Sequence, residues 1–173
     1  MKGRHRMRDL RRGDIDAVMA IDAVAYPRPW ERQLYVDDIG DPERARHIVA
    51  FDGRTVVGHG GIVHLDGDAH VSTLAVHPDH LGRGVATGLV DRLVALAIAD
   101  GCGAMTLEVR IDNERAKALY GRCGFAPVGV RPGYYDDPGG RVDALIMWLH
   151  DLPAARKRIA SLLTSPVTVG GAE

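Results

Sequence analysis

Hydrophobic and polar residues follow two different periods along this chain, and each period predicts one kind of secondary structure. Between residues 104 and 110 the two classes alternate strictly, which is typical of a strand with one buried face. After Gly84, and again after Asn113, apolar residues recur every three or four positions, which is typical of an amphipathic helix. Over the whole chain the pattern predicts the element order β-α-α-β-β-β-α-β-α-β-β.

Turn and capping residues place the boundaries of these elements. Asp52-Gly53 and Asp66-Gly67 are tight-turn pairs, so three antiparallel strands should follow one another before residue 77. Asp14 is expected to cap the first helix, and Pro27-Arg28-Pro29 to end it. The predicted strands cover residues 7–12, 47–51, 55–64, 71–76, 104–110, 127–135 and 142–149. The predicted helices cover residues 14–25, 31–39, 85–100, 113–123 and 153–163.

These elements are expected to form one α/β domain around a mixed sheet. The domain should span residues 1–150, with a C-terminal helix and a fraying tail in residues 151–173. The strand at residues 71–76 carries apolar or β-branched residues on both sides, so it is predicted to be buried on both faces.

Composition narrows the class of protein. The chain has 173 residues, of which 46% are hydrophobic and 26% charged, as is ordinary for a soluble globular domain. The net charge of -1 argues against binding nucleic acid through overall charge. No apolar run approaches the roughly 20 residues of a membrane helix. We therefore expect a cytoplasmic protein with no nucleic acid or membrane partner. A monomer is favoured, but no pattern in the sequence bears on the oligomeric state.

Cysteine and histidine residues give no sign of a disulfide or a metal. Cys102 and Cys123 lack metal-ligand spacing and are expected as free thiols, and no base is identifiable that would make Cys123 a nucleophile. His77 and His80 flank a turn without a third ligand, so no metal is expected. Three further histidines are expected to be solvated or packed: His59, His64 and His70.

Residues 72–86 predict a strand, a sharp turn and a glycine-rich start to a helix. His77-Pro78-Asp79 ends the strand, because proline has no amide hydrogen for the ladder. Gly82-Arg83-Gly84 follows, and glycines before a helix N-terminus with free amides favour a bound phosphate. The dinucleotide fingerprint needs a glycine where Thr87 stands, and the nucleotide P-loop needs a Gly-Lys pair that the chain lacks. The residues alone therefore predict a pyrophosphate-binding loop of another kind.

Three polar residues further along are candidates for chemistry, each with two interpretations. Glu108 lies on the polar side of its strand, either as a solvated or salt-bridged carboxylate or as a general base whose pKa burial would raise. Tyr120 lies on the apolar face of its helix, either as a core residue or as a proton donor. Asn113 is either a helix cap or a cofactor contact.

A family resemblance bears on these alternatives. Residues 81–86, with the preceding L-A-V-H-P-D, resemble the coenzyme A loop Q/R-x-x-G-x-G/A of the GCN5-related N-acetyltransferases (GNAT). Leu81 stands where that loop usually has Gln or Arg. More narrowly, L-E-V-R at 107–110, Asn113-x-x-Ala116, A-L-Y at 118–120 and G-F at 124–125 resemble the bacterial ribosomal-protein-alanine N-acetyltransferases, the RimI family.

Three further segments match the same family. They are Pro29-Trp30, Arg131-x-x-Tyr134-Tyr135, and G-R-x-D-A at 140–144 leading to Met147. Val142 departs from the pattern, because the family usually has Glu before the aspartate that is Asp143 here. The tail after residue 150 goes beyond the family pattern.

The resemblance implies a fold, a reaction and roles for named residues. The fold is the GNAT fold, with about seven strands, about four flanking helices, and two central strands that splay into a V. The implied reaction transfers the acetyl group of acetyl-CoA, without a metal, to the N-terminal alanine of a small-subunit ribosomal protein by direct attack of the amine. Glu108 would be the general base, and Tyr120 the general acid toward the coenzyme A thiolate.

The resemblance also places the two binding regions. Asn113 would contact the cofactor, and a backbone amide near Val76 would hold the thioester oxygen. The other implied cofactor contacts are Leu74, Ala75, Gly82, Arg83, Gly84, Val85, Ala86 and Thr87. The implied substrate groove is lined by Trp30, Tyr134 and Tyr135. Two alternatives stay open: an acetyltransferase for another terminus or a small-molecule amine, and a non-catalytic acyl-CoA-binding module, against which the presence of both Glu108 and Tyr120 argues.

Overall fold

The computed structural model describes residues 5–155 and 157, and within them seven strands form one mixed sheet in the order β1-β2-β3-β4-β5-β7-β6. The strands are β1 (Arg6–Asp9), β2 (Ala45–Asp52), β3 (Thr55–Leu65), β4 (Asp68–Val76), β5 (Met105–Arg110), β6 (Ala126–Asp137) and β7 (Gly140–Leu149). The α-helices are α1 (Ile15–Ala25), α2 (Arg32–Gly40), α3 (Val85–Ala99) and α4 (Glu114–Arg122). The predicted fold class and element order are confirmed.

The ends of the chain are only partly described. Of the helix predicted over residues 153–163, residues 152–155 and 157 are helical. The remainder of that prediction, and the predicted tail, lie outside the described residues.

The sheet is covered on both faces, and β2 shows this most clearly. Ile48 and Ala50 pack in a large hydrophobic cluster with α3, whereas Val49 and Phe51 pack in a smaller one with α1 and α2. Successive side chains of a strand point to opposite faces, so α3 lies on one face of the sheet and α1 with α2 on the other.

Asp14 does not cap α1 through its side chain, so that prediction was wrong. Its carboxylate instead accepts hydrogen bonds from the Arg8 guanidinium at 2.7 and 2.9 Å, and from the Arg11 backbone nitrogen at 2.9 Å. The Arg8 hydrogen bonds favour the ionised carboxylate and hold the pKa of Asp14 below its usual value. The pair ties β1 to the start of α1.

The two central strands diverge after a short parallel contact. β4 and β5 pair only at Ala69–Met105 and His70–Thr106. In the β3–β4 ladder the register shifts so that Ser72 is left unpaired, and such a bulge bends a strand and increases its twist. Beyond Ser72 the strands separate, which confirms the predicted V.

The divergence also corrects the burial predicted for β4. Val71, Thr73 and Ala75 are buried, but the alternate residues, from Ser72 to Val76, are only half-buried. Because β5 no longer lies beside it, the edge of β4 toward β5 is open, and this part of β4 lines the cavities described next.

Candidate active site

The glycine loop after β4 places the start of α3 beside the splayed end of that strand. Gly82 and Gly84 have left-handed backbone, with φ of 76° and 82°, a conformation that costs most other residues free energy. The Gly88 amide donates to the Gly84 carbonyl at 3.0 Å, so the amides of residues 85–87 precede the first hydrogen bond inside α3. This arrangement favours a bound phosphate.

A cavity of about 470 Å³, here called the cofactor cavity, lies against this helix start. Arg115 and Arg122 of α4 add two cationic side chains to its wall. Free amides and guanidinium groups fit the negative charge of a pyrophosphate, so the residues present fit acetyl-CoA. The predicted cofactor residues that line this cavity are Leu74, Ala75, Val76, Gly82, Gly84, Val85, Ala86, Thr87 and Asn113.

Arg83 is predicted in the same set, but its side chain is not part of the cavity wall. Its guanidinium lies 3.9 Å from the carboxylate of Asp52, at the end of β2. His80 Nδ1 lies 3.5 Å from the same carboxylate. The nearest opposite charge to Arg83 is therefore the carboxylate of Asp52.

A second cavity of about 530 Å³, here called the acceptor cavity, adjoins the first. Both cavities are lined by Leu74, Asn113, Ala116 and Tyr120. Glu108 and the three residues predicted for the substrate groove, Trp30, Tyr134 and Tyr135, line the acceptor cavity. The structure therefore brings the sequence-predicted groups to one place, with Tyr120 where the cavities meet.

Glu108 projects from β5 next to two basic side chains. Its side chain is 11% exposed, and its carboxylate oxygens lie 2.9 Å from His70 Nε2 and 3.5 Å from the Arg131 guanidinium. The Tyr135 hydroxyl donates to the Glu108 backbone oxygen at 3.2 Å. Glu108 is therefore a positioned carboxylate in a cavity rather than a solvated strand residue.

His70 is the neighbour of Glu108 that sequence reasoning missed, since it was predicted to be solvated or packed. Its Nδ1 lies 2.8 Å from the Thr106 hydroxyl, which can donate to Nδ1 and so leave the proton on Nε2, facing Glu108. His70 reaches Glu108 because it pairs with Thr106 in the parallel β4–β5 ladder, and residues 106 and 108 share a face of β5. That pairing joins residues 36 positions apart and is not visible in the sequence.

Tyr120 is buried in α4 with an edge-to-face contact to Phe125, whose ring centroid is 5.7 Å away. Among the described residues its hydroxyl makes no hydrogen bond. Burial raises the pKa of Tyr120 well above the usual value of a phenol, so the group carries its proton at neutral pH. A protonated phenol without a partner, at the junction of two cavities, can donate to a bound ligand.

Asn113 combines both of its predicted interpretations. Its side-chain oxygen caps α4 by accepting from the Ala116 amide at 3.0 Å. The cap uses the oxygen only, and the residue lines both cavities. Its amide nitrogen therefore stays available for a ligand.

The remaining chemistry-bearing residues fall outside this site. Cys102 and Cys123 are buried free thiols, and burial raises the pKa of Cys123 to about 11, which suppresses its thiolate. In the described part of the chain, no cluster of three or more His, Cys, Asp or Glu residues is arranged to hold a metal ion. No helix within residues 5–155 has the length and apolar character needed to cross a membrane.

The fold and the site together define the class of GCN5-related acyltransferases. Their shared features are a splayed mixed sheet, a helix that starts after a glycine loop, and a carboxylate and a phenol that line one cavity. The model of the acetyltransferase (GNAT) family matches residues 15–125, and the chain belongs to that family. It is an acetyltransferase.

Individual relatives narrow the comparison. A Bacillus subtilis protein, provisionally named as a [ribosomal protein bS18]-alanine N-acetyltransferase, is 32% identical over 86% of this chain and 97% of its own length. The crystal structure of the ribosomal-protein-S18-alanine N-acetyltransferase from Escherichia coli superposes with a TM-score of 0.78 at 27% identity, covering 86% of this chain and 94% of that one. An acetyltransferase from Salmonella typhimurium, solved with its cofactor acetyl-CoA, shares the fold with a TM-score of 0.74 at 20% identity, covering 86% and 94%.

Proposed function

We propose that this protein transfers the acetyl group of acetyl-CoA to the N-terminal amine of a protein, and that its acceptor is a small-subunit ribosomal protein beginning with alanine. The observation that carries the proposal is that Glu108 and Tyr120 line one cavity, which Tyr120 shares with the cavity at the start of α3. The names of the relatives supply the acceptor.

Glu108 accepts the proton that the amine must lose. The reference pKa of a terminal amine is about 8, so at neutral pH most of the acceptor arrives protonated. The carboxylate reaches into the acceptor cavity and is fixed by His70 and Arg131, so it can take this proton directly or through one water. The free amine then attacks the thioester carbonyl without a covalent enzyme intermediate.

Tyr120 supplies the proton that the reaction consumes. The pKa of Tyr120 lies above that of an ordinary phenol, so the phenol is protonated at neutral pH and would donate a hydrogen bond to the departing sulfur as negative charge develops on it. Its hydroxyl is free of other hydrogen bonds among the described residues and lies at the boundary between cofactor and acceptor. These observations support Tyr120 as the donor to the departing thiolate.

The cofactor would be held mostly by backbone groups. The amides of residues 85–87 and the guanidinium groups of Arg115 and Arg122 would take the pyrophosphate. The open side of β4 near Val76 offers backbone groups to the thioester end, where an amide would polarise the carbonyl. Acetyl-CoA would supply the acetyl group as an activated thioester, and the protein would supply orientation and proton transfer.

The acceptor cavity is lined in part by segments far apart in the sequence. Its walls come from the segment between α1 and α2 and from the β6–β7 hairpin, which Arg28 and Asp136 join by an ion pair of 3.5 Å. Trp30 is braced from behind by Tyr35 and His47, with ring centroids 5.4 and 5.9 Å away. Acetyl-CoA and a ribosomal acceptor would both meet the enzyme in the cytoplasm, where we propose that it works as a monomer.

A peptide assay tests the proposal. A peptide that begins with alanine and contains lysines should gain one acetyl group at its terminal amine, located by tandem mass spectrometry. The same peptide with a blocked terminus is the control and should react poorly. Preferential acetylation of lysine or of small amines would contradict the N-terminal assignment, and binding of acetyl-CoA without transfer to any amine would favour a non-catalytic module.

A further inference from the structure

Tyr26 carries a hydroxyl that is bonded to the edge of β4. It follows directly after α1 in sequence. Its hydroxyl donates to the Leu74 carbonyl at 2.6 Å and accepts from the Leu74 amide at 3.1 Å. The Thr73 hydroxyl lies 3.2 Å away and must be a donor, because a phenol has a single proton. The Tyr26 hydroxyl therefore has no capacity left for a ligand.

These contacts lie on the side of β4 that faces the V. Alternate residues of a strand direct their amide and carbonyl to the same side. The amide of His77, the residue after β4, donates to the Val57 carbonyl of β3 at 2.9 Å, so Leu74 and Val76 direct theirs toward β5. β5 has already diverged there, and the Tyr26 hydroxyl occupies the position that a backbone partner on β5 would have taken.

An unpaired strand edge is a template for any extended chain that carries amides. Acetyl-CoA has two amide groups in the arm that leads to its thioester. Along the open edge of β4 this arm could pair at Val76 or, shifted by two residues, at Leu74. A two-residue shift displaces the arm, and the thioester with it, by about 7 Å along β4, so the thioester can meet the catalytic groups in only one of the two positions.

We propose that Tyr26 is a positioning residue that blocks the Leu74 position of β4, so that the acyl-bearing arm of the co-substrate pairs with this strand in one register only. The inference rests on the proposed use of acetyl-CoA and deepens it. Tyr26 is not a second general acid, because its proton is committed to Leu74, whereas the Tyr120 hydroxyl makes no hydrogen bond within residues 5–155.

Tyr26→Phe tests the blocking contact without acetyl-CoA. The variant keeps the ring and removes only the hydroxyl, so the Leu74 amide should exchange its hydrogen at least about ten-fold faster than in the parent, measured by NMR. Adding saturating coenzyme A should restore protection of Leu74 in the variant and leave the parent unchanged. Thr73→Val is the matched control, because it removes a hydroxyl partner of Tyr26 but leaves the contact with Leu74.

Steady-state kinetics of Tyr26→Phe distinguish a changed pairing of the co-substrate arm with β4 from a general loss of folding. Non-productive binding lowers kcat and the KM for acetyl-CoA by the same factor, so kcat/KM stays unchanged. One extra hydrogen bond at Leu74 would give a decrease of about two- to ten-fold in both constants. Parent-like exchange at Leu74 in Tyr26→Phe, or a fall in kcat at constant KM, would overturn the proposal. If coenzyme A protects no amide of residues 85–87 in the parent, the use of acetyl-CoA fails instead, whatever Leu74 does.

Discussion

Replacing Gly84 by alanine and by aspartate separates backbone strain from charge at the start of α3. A Cβ at this position would meet no atom within 4 Å, so neither side chain causes a clash. The backbone is left-handed with φ of 82°, so alanine should cost about 1–2 kcal/mol of folding stability through strain alone. Aspartate tolerates this conformation better, and at the residue before the helix its carboxylate can accept from the first-turn amides. Gly84→Asp should therefore fold at least as well as Gly84→Ala.

The two variants should differ sharply in coenzyme A affinity. In Gly84→Asp the new carboxylate accepts hydrogen bonds from the amides that we assign to the pyrophosphate, and its negative charge repels that group. At a separation of about 6 Å and an effective dielectric constant of about 20, two like charges repel by about 3 kcal/mol, or about 10²-fold in affinity. Alanine adds no charge and should bind within a few-fold of the parent.

Isothermal titration calorimetry with coenzyme A measures this difference, and thermal unfolding of each variant confirms that it is folded. Raising the salt concentration should reduce the gap between the variants, because screening weakens the repulsion. Equal affinity of folded Gly84→Asp and Gly84→Ala would refute the assignment of the pyrophosphate to the helix start.

Three other changes address the proton-transfer groups and the fold. Glu108→Gln should lower kcat about 10²–10⁴-fold with coenzyme A binding intact, whereas Glu114→Gln, on the surface of α4, should leave kcat unchanged in the same steady-state assay. Tyr120→Phe should slow thiolate departure by a similar factor, and an acetyl thioester with a more acidic thiol should rescue it in part; no rescue would mean that Tyr120 is only a packing residue. Asp14→Asn should cost about 1.5 kcal/mol of unfolding free energy at pH 7. Because the folded pKa of Asp14 lies below its unfolded value, this difference should be present above the unfolded pKa and disappear as pH falls through the folded one, and a pH-independent difference in urea unfolding would contradict it.

The parts of this protein that the sequence predicted rest on local patterns. The alternation before Glu108 and the three-and-four spacing around Tyr120 survive in the structure, because each depends on residues within one element. Gly82 and Gly84 were identifiable because only a few residue types adopt a left-handed backbone without strain. These local rules placed the start of α3 and the strand that carries Glu108.

The parts that the sequence did not predict depend on contacts between distant residues. His70 meets Glu108 through a pairing 36 positions apart, and the Tyr26 hydroxyl reaches Leu74 across 48 positions. Asp14 binds Arg8 instead of its helix because β1 folds beside it. β4 was predicted to be buried on both faces because its composition carries no sign of its divergence from β5.

A bisubstrate compound tests most directly whether the two cavities form one reaction centre. In this compound, coenzyme A is joined through an acetyl bridge to the amine of a peptide that begins with alanine. If they meet at Tyr120 as described, the compound should bind more tightly than coenzyme A by at least about 10²-fold, because the second part binds at high effective concentration. Glu108→Gln should keep most of that gain, whereas Trp30→Ala should lose it. A compound that binds no more tightly than coenzyme A, measured by calorimetry, would contradict the account.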